Sequence, residues 1–159
     1  MLVTTKELLI KARAGGYAVG AFNTSDLEIT KAIIEAATIC KSPVIIQTSE
    51  KAIDFAGLPY IAAIMKEAAM SAEVPVAIHL DHGKSLERAT QCLEAGYSSV
   101  MIDASKLDFE ENIKLTQSVV KLAAKYHASV EAEIGVISGQ EDYVKALSSK
   151  LTDPDEAVV

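Results

Sequence analysis

The chain of 159 residues is half apolar and 23% charged, which is typical of one globular domain, here residues 1–159. Its 15 basic and 22 acidic residues give a formal net charge of −7, so we expect no nucleic-acid partner, because phosphate binding needs clustered Lys and Arg. No apolar run approaches the ~20 residues of a membrane span, and no secretory signal precedes the first helix. With only 2 cysteines there is no disulfide framework, so we expect a cytoplasmic protein without a membrane partner.

Short apolar runs alternate with helical patterns along the chain. Thr4 and Glu7 form a capping box that predicts a first helix ending at Gly15 and Gly16. The later helices are predicted to begin at Ser25 with Glu28, near Pro59, at Ser85, and at Asp108 with Glu111. The predicted strands are Ala18–Asn23, Val44–Gln47, Val74–Leu80, Ser98–Ile102 and Ser129–Ile134. An irregular polar stretch is expected from Gly135 to about Leu151, followed by a helical turn capped by Thr152 or Asp153.

Successive βα units with strands rich in Val, Ile and Ala predict a parallel sheet. Two architectures fit this pattern: an open doubly wound sheet and a (β/α)8 barrel. The first βα turn lacks the G-x-G-x-x-G fingerprint, and no phosphate-binding loop of the P-loop type is present. Both absences argue against a nucleotide-binding protein.

Polar residues end the predicted strands on one face. Side chains alternate along a strand, so residues two apart share a face. The polar residues on this face are Asn23, Gln47, Ser49, His79, Asp81, Asp103, Glu131 and Glu133. In a (β/α)8 barrel the carboxyl ends of the strands carry the active site. The pattern therefore favours a functional site over packing.

Two histidines and a carboxylate crowd the end of the third strand. Imidazole and carboxylate groups can bind zinc, but the spacing matches no established metal motif. We interpret His79 as a hydrogen-bonded core histidine, whereas His82 fits either a metal ligand or a surface loop. His127 is predicted to lie on the surface, and Cys40 and Cys92 are interpreted as packing residues.

The polar stretch after the fifth strand also has two interpretations. Its segment from Ser138 to Asp142 contains Gly139 and Glu141. A glycine-containing loop after a barrel strand can be a mobile lid that carries a catalytic group. On composition alone, an acidic solvated loop fits better.

A series of segments in order along the chain has a specific combined pattern. These segments are GYAVGAFN (16–23), SPVII (42–46), VPVAIHLDHG (74–83), GYSSVMIDAS (96–105), FEEN (109–112), VEAEIG (130–135) and GQED (139–142). With them the chain resembles the amino-terminal part of the class II, metal-dependent ketose-bisphosphate aldolases of the fructose and tagatose type. The resemblance implies a (β/α)8 TIM barrel, of which about the first five βα units are present.

The activity implied by this resemblance is the reversible cleavage of a ketose 1,6-bisphosphate into dihydroxyacetone phosphate and glyceraldehyde 3-phosphate. The resemblance implies that His82 binds the catalytic zinc, and that Asp103 and Glu133 belong to a second or alternative divalent-cation position. Whether the phosphosugar substrate is the fructose or the tagatose bisphosphate stays open.

The resemblance also implies roles in proton transfer and substrate binding. Asp81 would be the acid/base on the C4 hydroxyl, and Glu141 would be the loop group that moves the proton at C3 of dihydroxyacetone phosphate. Ser49 and Asn23 would contact the substrate on its aldehyde side.

The family's barrel continues past its fifth strand, where two further zinc-binding histidines and the phosphate-binding loops lie. His79 and His127 match neither histidine. We therefore expect the chain alone to be inactive and to act as a homo-oligomer or with the missing barrel half. The alternatives are a non-catalytic half-barrel module that needs a partner chain, and another metal-using lyase on the same barrel. Without facing strands, Val19, Ile45 and Met101 are expected to be exposed.

Overall fold

The computed structural model describes residues 1–136, 139–141, 144–146 and 149–158, with the backbone alone in the two middle ranges. The helices are α1 (Thr5–Gly15), α2 (Leu27–Ile39), α3 (Glu50–Ala56), α4 (Leu58–Ser71), α5 (Leu86–Glu94) and α6 (Phe109–Ala123). The strands are β1 (Gly20–Asn23), β2 (Val44–Ser49), β3 (Val76–Gly83), β4 (Ser99–Ile102), β5 (Ser129–Ala132), β6 (Gly139–Glu141) and β7 (Val144–Ala146). Short 3₁₀ turns cover Ala124–Tyr126 and Glu156–Val158.

The first five strands form one parallel sheet in the sequence order β1-β2-β3-β4-β5. A doubly wound sheet would reverse its direction of growth after the first strands, at the switch point where such folds bind ligands. The uninterrupted order is that of a (β/α)8 barrel, of which five units are present. In the register, Asn23 pairs with Gln47, and Ser49 pairs with Asp81, so the carboxyl ends of these strands lie along one edge.

The main hydrophobic core lies between the outer face of the sheet and the helices. Fully buried strand residues such as Ile46, Ile78 and Leu80 pack there with Ile61 and Met65 of α4. Burial of each such side chain contributes roughly 1.5–3 kcal/mol, so this layer fixes the sheet on its helices. Within the described residues, no helix combines the length and the apolar character needed to cross a bilayer.

Helix α1 covers the inner face of the sheet at the amino-terminal ends of the strands. The predicted capping box is confirmed, since the Thr4 hydroxyl accepts from Glu7 N and the Glu7 carboxylate accepts from Thr4 N. Leu8 of this helix packs against Ile45 and Ala77. The expected exposure of Ile45 and Met101 is wrong, because they are only 7% and 4% exposed. For Ile45 the reason is the contact with Leu8.

Two helix starts differ from the prediction. The cap of α2 is Asp26 rather than Ser25, because Asp26 Oδ1 accepts from Ile29 N at 2.8 Å. Helix α3 was not predicted, since seven residues are too few to show a helical period. Asp108 precedes α6 as expected but makes no side-chain cap hydrogen bond.

The expected irregular stretch after Gly135 contains an antiparallel pair of short strands, β6 and β7. Its base is held by backbone hydrogen bonds of 2.7 and 2.8 Å between Val136 and Lys150. Beyond it, the Thr152 hydroxyl donates to Ile134 O at 3.0 Å instead of capping a helix. Strands of three residues are too short for alternation to be recognised in a sequence.

Candidate active site

Asp81 and His82 are consecutive residues of β3, and a regular strand would point them to opposite faces. The register of β3 against β4 shifts between Leu80 and Gly83, and His82 adopts a φ of 49°. A positive φ is uncommon for a residue other than glycine and is found where surrounding structure enforces it. The irregularity lets Asp81 contact Asn23 of β1 while His82 contacts Asp103 after β4.

Gly83 allows this irregularity because it has no side chain. A Cβ at this position would lie 2.7 Å from Met101 O and 2.6 Å from Leu80 Cδ2. The close approach also brings Gly83 O within 2.8 Å of Asp103 N, which donates a hydrogen bond to it. The glycine therefore couples the end of β3 to the residue that follows β4.

His82, Asp103 and Glu133 form one cluster at this edge. His82 Nδ1 lies 3.1 Å from Asp103 Oδ2 and 3.6 Å from Glu133 Oε2. All three residues are half-buried, and one ligand atom from each lies within 4.8 Å of the others. One imidazole and two carboxylates at this spacing could hold a divalent cation.

The Asp103 carboxylate is fixed in its ionised form. Hydrogen bonds from His82 and then from Ser105 lower the pKa of Asp103 to about 2. Ser105 contributes both its hydroxyl, at 2.6 Å from Asp103 Oδ1, and its backbone N–H, at 3.2 Å. A carboxylate held as an anion at neutral pH is the form that binds a cation.

Glu133 is positioned from α6 by Asn112. The buried Asn112 donates from Nδ2 to Glu133 O at 2.8 Å, and Thr116 in turn donates to Asn112 Oδ1 at 3.2 Å. Asn112 lies in one of the segments that carry the family resemblance, but sequence reasoning gave it no role. A polar residue on the core side of an amphipathic helix is the sequence feature that could have indicated a structural role for Asn112.

Asp81 receives a chain of amide hydrogen bonds across the sheet. Gln47 Nε2 donates to Asn23 Oδ1 at 2.9 Å, and Asn23 Nδ2 donates to Asp81 Oδ2 at 2.8 Å. Asn23 and Asp81, predicted for one face, are therefore in contact. Gln47 was predicted for the same face, whereas its hydrogen bond to the Asn23 amide was not predicted.

Ser49 and Glu141 are the other two predicted site residues. Ser49 pairs in register with Asp81 and is also the cap of α3, where its hydroxyl accepts from Ala52 N at 3.3 Å. Glu141 ends β6, and its side chain lies outside the described part of the chain.

His79 is buried and hydrogen-bonded, as the sequence analysis predicted. Its Nδ1 lies 2.8 Å from Ser99 Oγ, and its Nε2 lies 3.5 Å from Glu131 Oε2. Burial lowers the pKa of His79 to about 4, so the imidazole is neutral at pH 7. His79 thus lies within the core, whereas His82 is the imidazole that lies in one cluster with Asp103 and Glu133.

His127 and the two cysteines are not part of the cluster of His82, Asp103 and Glu133. His127 is exposed and follows the 3₁₀ turn, as predicted. Cys92 is buried as a packing residue, but the same interpretation of Cys40 is wrong, because Cys40 is exposed at the end of α2. Cys40 is the last residue of the apolar periodicity, but at the end of the helix no neighbouring element in the described part of the chain covers its side chain.

Comparisons with known proteins agree on one family. The family model described as "Fructose-bisphosphate aldolase class-II" matches residues 3–159. The fructose-bisphosphate aldolase of Thermus caldophilus is 49% identical over 99% of this chain and 52% of its own length. The Staphylococcus epidermidis fructose-bisphosphate aldolase is 46% identical over 98% of this chain and 55% of its length.

A solved structure supports the same family as the family model and the two relatives. The crystal structure of the YdjI aldolase from Escherichia coli K12 superimposes with a TM-score of 0.88 and 35% identity, over 99% of this chain and 56% of that one. The chain spans about half the length of the curated relatives it matches. On sequence, fold and site geometry together, the chain belongs to the class II fructose-bisphosphate aldolase family.

Proposed function

We propose that this chain is the amino-terminal part of a metal-dependent aldolase barrel. The reaction is the reversible cleavage of a ketose 1,6-bisphosphate, fructose or tagatose, into dihydroxyacetone phosphate and glyceraldehyde 3-phosphate. The observation that carries the proposal is the convergence of His82, Asp103 and Glu133 at the same strand ends as Asp81.

The donor set fits a zinc ion. Zinc accepts imidazole nitrogen and carboxylate oxygen, and a catalytic zinc site uses three protein ligands with an open position. His82 would hold the catalytic zinc, and Asp103 and Glu133 would hold the same ion or a second divalent cation beside it. Zinc bound there would polarise the ketone and stabilise the negative charge that develops as the C3–C4 bond breaks.

Asp81 is proposed to move the proton of the C4 hydroxyl. In the cleavage direction its carboxylate accepts that proton, and in condensation it returns the proton to the new hydroxyl. The Asn23 amide, itself oriented by Gln47, fixes the carboxylate through Oδ2. Asn23 and Ser49 are proposed to contact the aldehyde side of the substrate.

Glu141 is proposed to move the proton at C3 of dihydroxyacetone phosphate. This role rests on the family resemblance and on the position of Glu141 after the fifth barrel strand. In a complete enzyme, Glu141→Gln should slow isotope exchange at C3 while leaving the metal content unchanged. Exchange at the unaltered rate would assign this proton transfer to another group.

Reconstitution of the barrel tests the proposal. The chain would be co-expressed with the part of the Thermus caldophilus relative that lies beyond the matched region, and the purified complex assayed with fructose and tagatose bisphosphates. We expect metal-dependent cleavage by the complex and none by either part alone. A stable complex that contains zinc but cleaves neither substrate would contradict the proposed function. The reading frame after Val159 gives a cheaper test, since a continuation with two further ligand histidines supports an aldolase.

The edges of the sheet support a second candidate, a non-catalytic half-barrel that binds a partner chain. All four residues of β1 are exposed, and a groove between β1 and α2 is lined by Phe22, Ile29, Ile33 and Cys40. Open strand edges and uncovered apolar surface are typical of interaction sites. Size-exclusion chromatography with light scattering tests whether the chain needs a partner. A monomer of 16.9 kDa that unfolds cooperatively and has no dye-accessible apolar surface would contradict such a need.

A further inference from the structure

A row of side-chain hydrogen bonds crosses the inner face of the sheet between α1 and the candidate site. Thr5 Oγ1 of α1 lies 2.6 Å from Ser129 Oγ of β5 and 2.8 Å from Ser99 Oγ of β4. Ser99 Oγ lies 2.8 Å from His79 Nδ1 of β3. Thr5, Ser99 and His79 are all buried, so their hydrogen-bonding groups depend on one another rather than on bulk water.

The Glu131 end of this row sets the direction of its protons, and the other end is compatible with that direction. At one end the backbone N–H of Lys6, which can only donate, lies 3.4 Å from Ser129 Oγ. At the other end the Glu131 carboxylate, an acceptor when ionised, lies 3.5 Å from His79 Nε2. A hydroxyl has one proton to donate, and a neutral imidazole has one N–H and one acceptor nitrogen.

One arrangement satisfies both ends. Ser129 donates to Thr5, Thr5 donates to Ser99, and Ser99 donates to His79 Nδ1. The single proton of the neutral imidazole then resides on Nε2 and points to Glu131. Hydrogen bonds that run in one direction polarise each other and strengthen the last donor of the row.

We propose that this directed row makes His79 a positioning residue, which holds the Glu131 carboxylate in place on the inner face that also carries Asp81. The role in catalysis rests on the proposed function, whereas the directed row does not. Glu131 and Asp81 are like charges on one inner face, and the Nε2–H of His79 offsets their repulsion at the Glu131 side. Helix α1, far from the reacting atoms in sequence, thereby sets the orientation of a charged group at the site.

The tautomer of His79 is the first test. Long-range ¹H–¹⁵N spectra of the whole 159-residue chain report which ring nitrogen carries the proton, and His82→Gln and His127→Gln variants assign the signals. We expect the Nε2–H tautomer at His79 at neutral pH. The Nδ1–H tautomer, or a protonated imidazole at pH 7, would overturn the proposal.

Thr5→Val tests the row itself, because valine keeps the shape of threonine without the hydroxyl. Loss of one hydrogen bond of typical strength should shift the His79 tautomer ratio roughly threefold to tenfold, and Thr5→Ser should restore it. The matched control is Thr30→Val, which removes a buried hydroxyl from a separate pair with Thr24. An unchanged ratio in Thr5→Val, or an equal shift in Thr30→Val, would overturn the directed row.

The catalytic consequence is measured in the reconstituted barrel. Thr5→Val should lower kcat about tenfold with little change in KM, as is usual when a partner of an active-site group is lost. A shifted tautomer ratio with unchanged kcat would overturn the positioning role. A wild-type barrel that binds zinc but shows no cleavage would instead contradict the proposed function, and the tautomer measurements would still decide the row.

Discussion

Asn23 Nδ2 donates a 2.8 Å hydrogen bond to Asp81 Oδ2, which joins residues that are 58 positions apart in the chain. Their strands, β1 and β3, are not neighbours, because β2 lies between them. The hydrogen bond therefore crosses β2 on the inner face of the sheet. Gln47 of β2 donates to Asn23 Oδ1 and so orients the amide that makes it. The three side chains tie the ends of three strands together at the candidate site.

Replacement of Asp81 tests its proposed role in proton transfer. In the reconstituted barrel, Asp81→Ala should lower kcat by about 10²–10⁴-fold, the usual contribution of a general acid or base. The zinc content should not change, because Asp81 is outside the cluster of His82, Asp103 and Glu133. Asn23→Ala should have a smaller effect on kcat, because the Asn23 amide orients the carboxylate and contacts the substrate but transfers no proton. Activity of Asp81→Ala within a few-fold of the parent would refute the role.

The metal cluster predicts weak binding by the chain alone, because the family resemblance assigns only His82 of this cluster to the catalytic zinc and expects two further histidines as its ligands. Cobalt absorption or calorimetry should detect a divalent cation that is lost on treatment with a chelator, and Asp103→Asn should reduce the affinity roughly 10–100-fold. The exposed His127 provides the control, because His127→Gln should leave the affinity unchanged. Zinc bound stoichiometrically by the isolated chain and resistant to a chelator would show that these ligands suffice.

The buried His79 predicts a loss of stability in acid. Burial lowers the pKa of His79 to about 4 in the folded chain, against ~6.5 for an exposed histidine. Between these pH values the unfolded chain binds more protons than the folded chain. The free energy of unfolding therefore falls as the pH is lowered through this range, by up to roughly 3 kcal/mol from this group.

Chemical denaturation of the parent and of His79→Gln at pH 7, 5.5 and 4 measures this contribution. The substitution should flatten the dependence on pH, whereas His127→Gln should not. Burial, and then Asp81, raise the pKa of Glu131. Just above the ordinary carboxyl pKa the folded chain therefore binds more protons at Glu131 than the unfolded chain does, so this group makes the free energy of unfolding rise as the pH is lowered. The difference between parent and variant is therefore the quantity to compare, and equal slopes for the two proteins would contradict the prediction.

Gly83 should tolerate no side chain. Gly83→Ala places a Cβ 2.7 Å from Met101 O, a backbone atom that cannot turn aside, and should cost about 1–3 kcal/mol of folding stability. It should also weaken cation binding, because the same backbone carries His82. Gly16→Ala is the control: it has a φ of 67° but no atom within 4 Å of a new Cβ, so stability should fall while cation binding stays constant. Equal cation affinity in both variants would refute the link between Gly83 and His82.

Alternation along the strands was sufficient to predict the face that carries Asn23, Gln47 and Asp81. Hydrogen bonds between these residues confirm that they share it. Alternation could not place His82, because its position depends on a register shift caused by contacts between strands, including the approach of Gly83 to Met101 O. A pattern read along one strand contains no information about such contacts.

Tertiary packing also decided the features that were missed. The burial of Ile45 follows from Leu8 of α1, more than thirty residues away in the chain, and the role of Asn112 follows from the backbone oxygen of Glu133. By contrast, the predicted core position of His79 needed only its place in an apolar strand. Predictions from local pattern held where neighbours along the chain decide, and failed where a distant segment decides.

The uncovered β1 strand has a consequence for handling and biogenesis. Within the part of the chain that the structure describes, no strand is hydrogen-bonded to its outer edge, and Phe22 is 53% exposed. The central strands, by contrast, are buried. An edge of this kind accepts any extended peptide of suitable pattern, including a strand of another copy of the chain. Yield in the soluble fraction should therefore depend steeply on expression level, and chaperones that shield strand edges should matter more than those that only shield collapsed apolar segments.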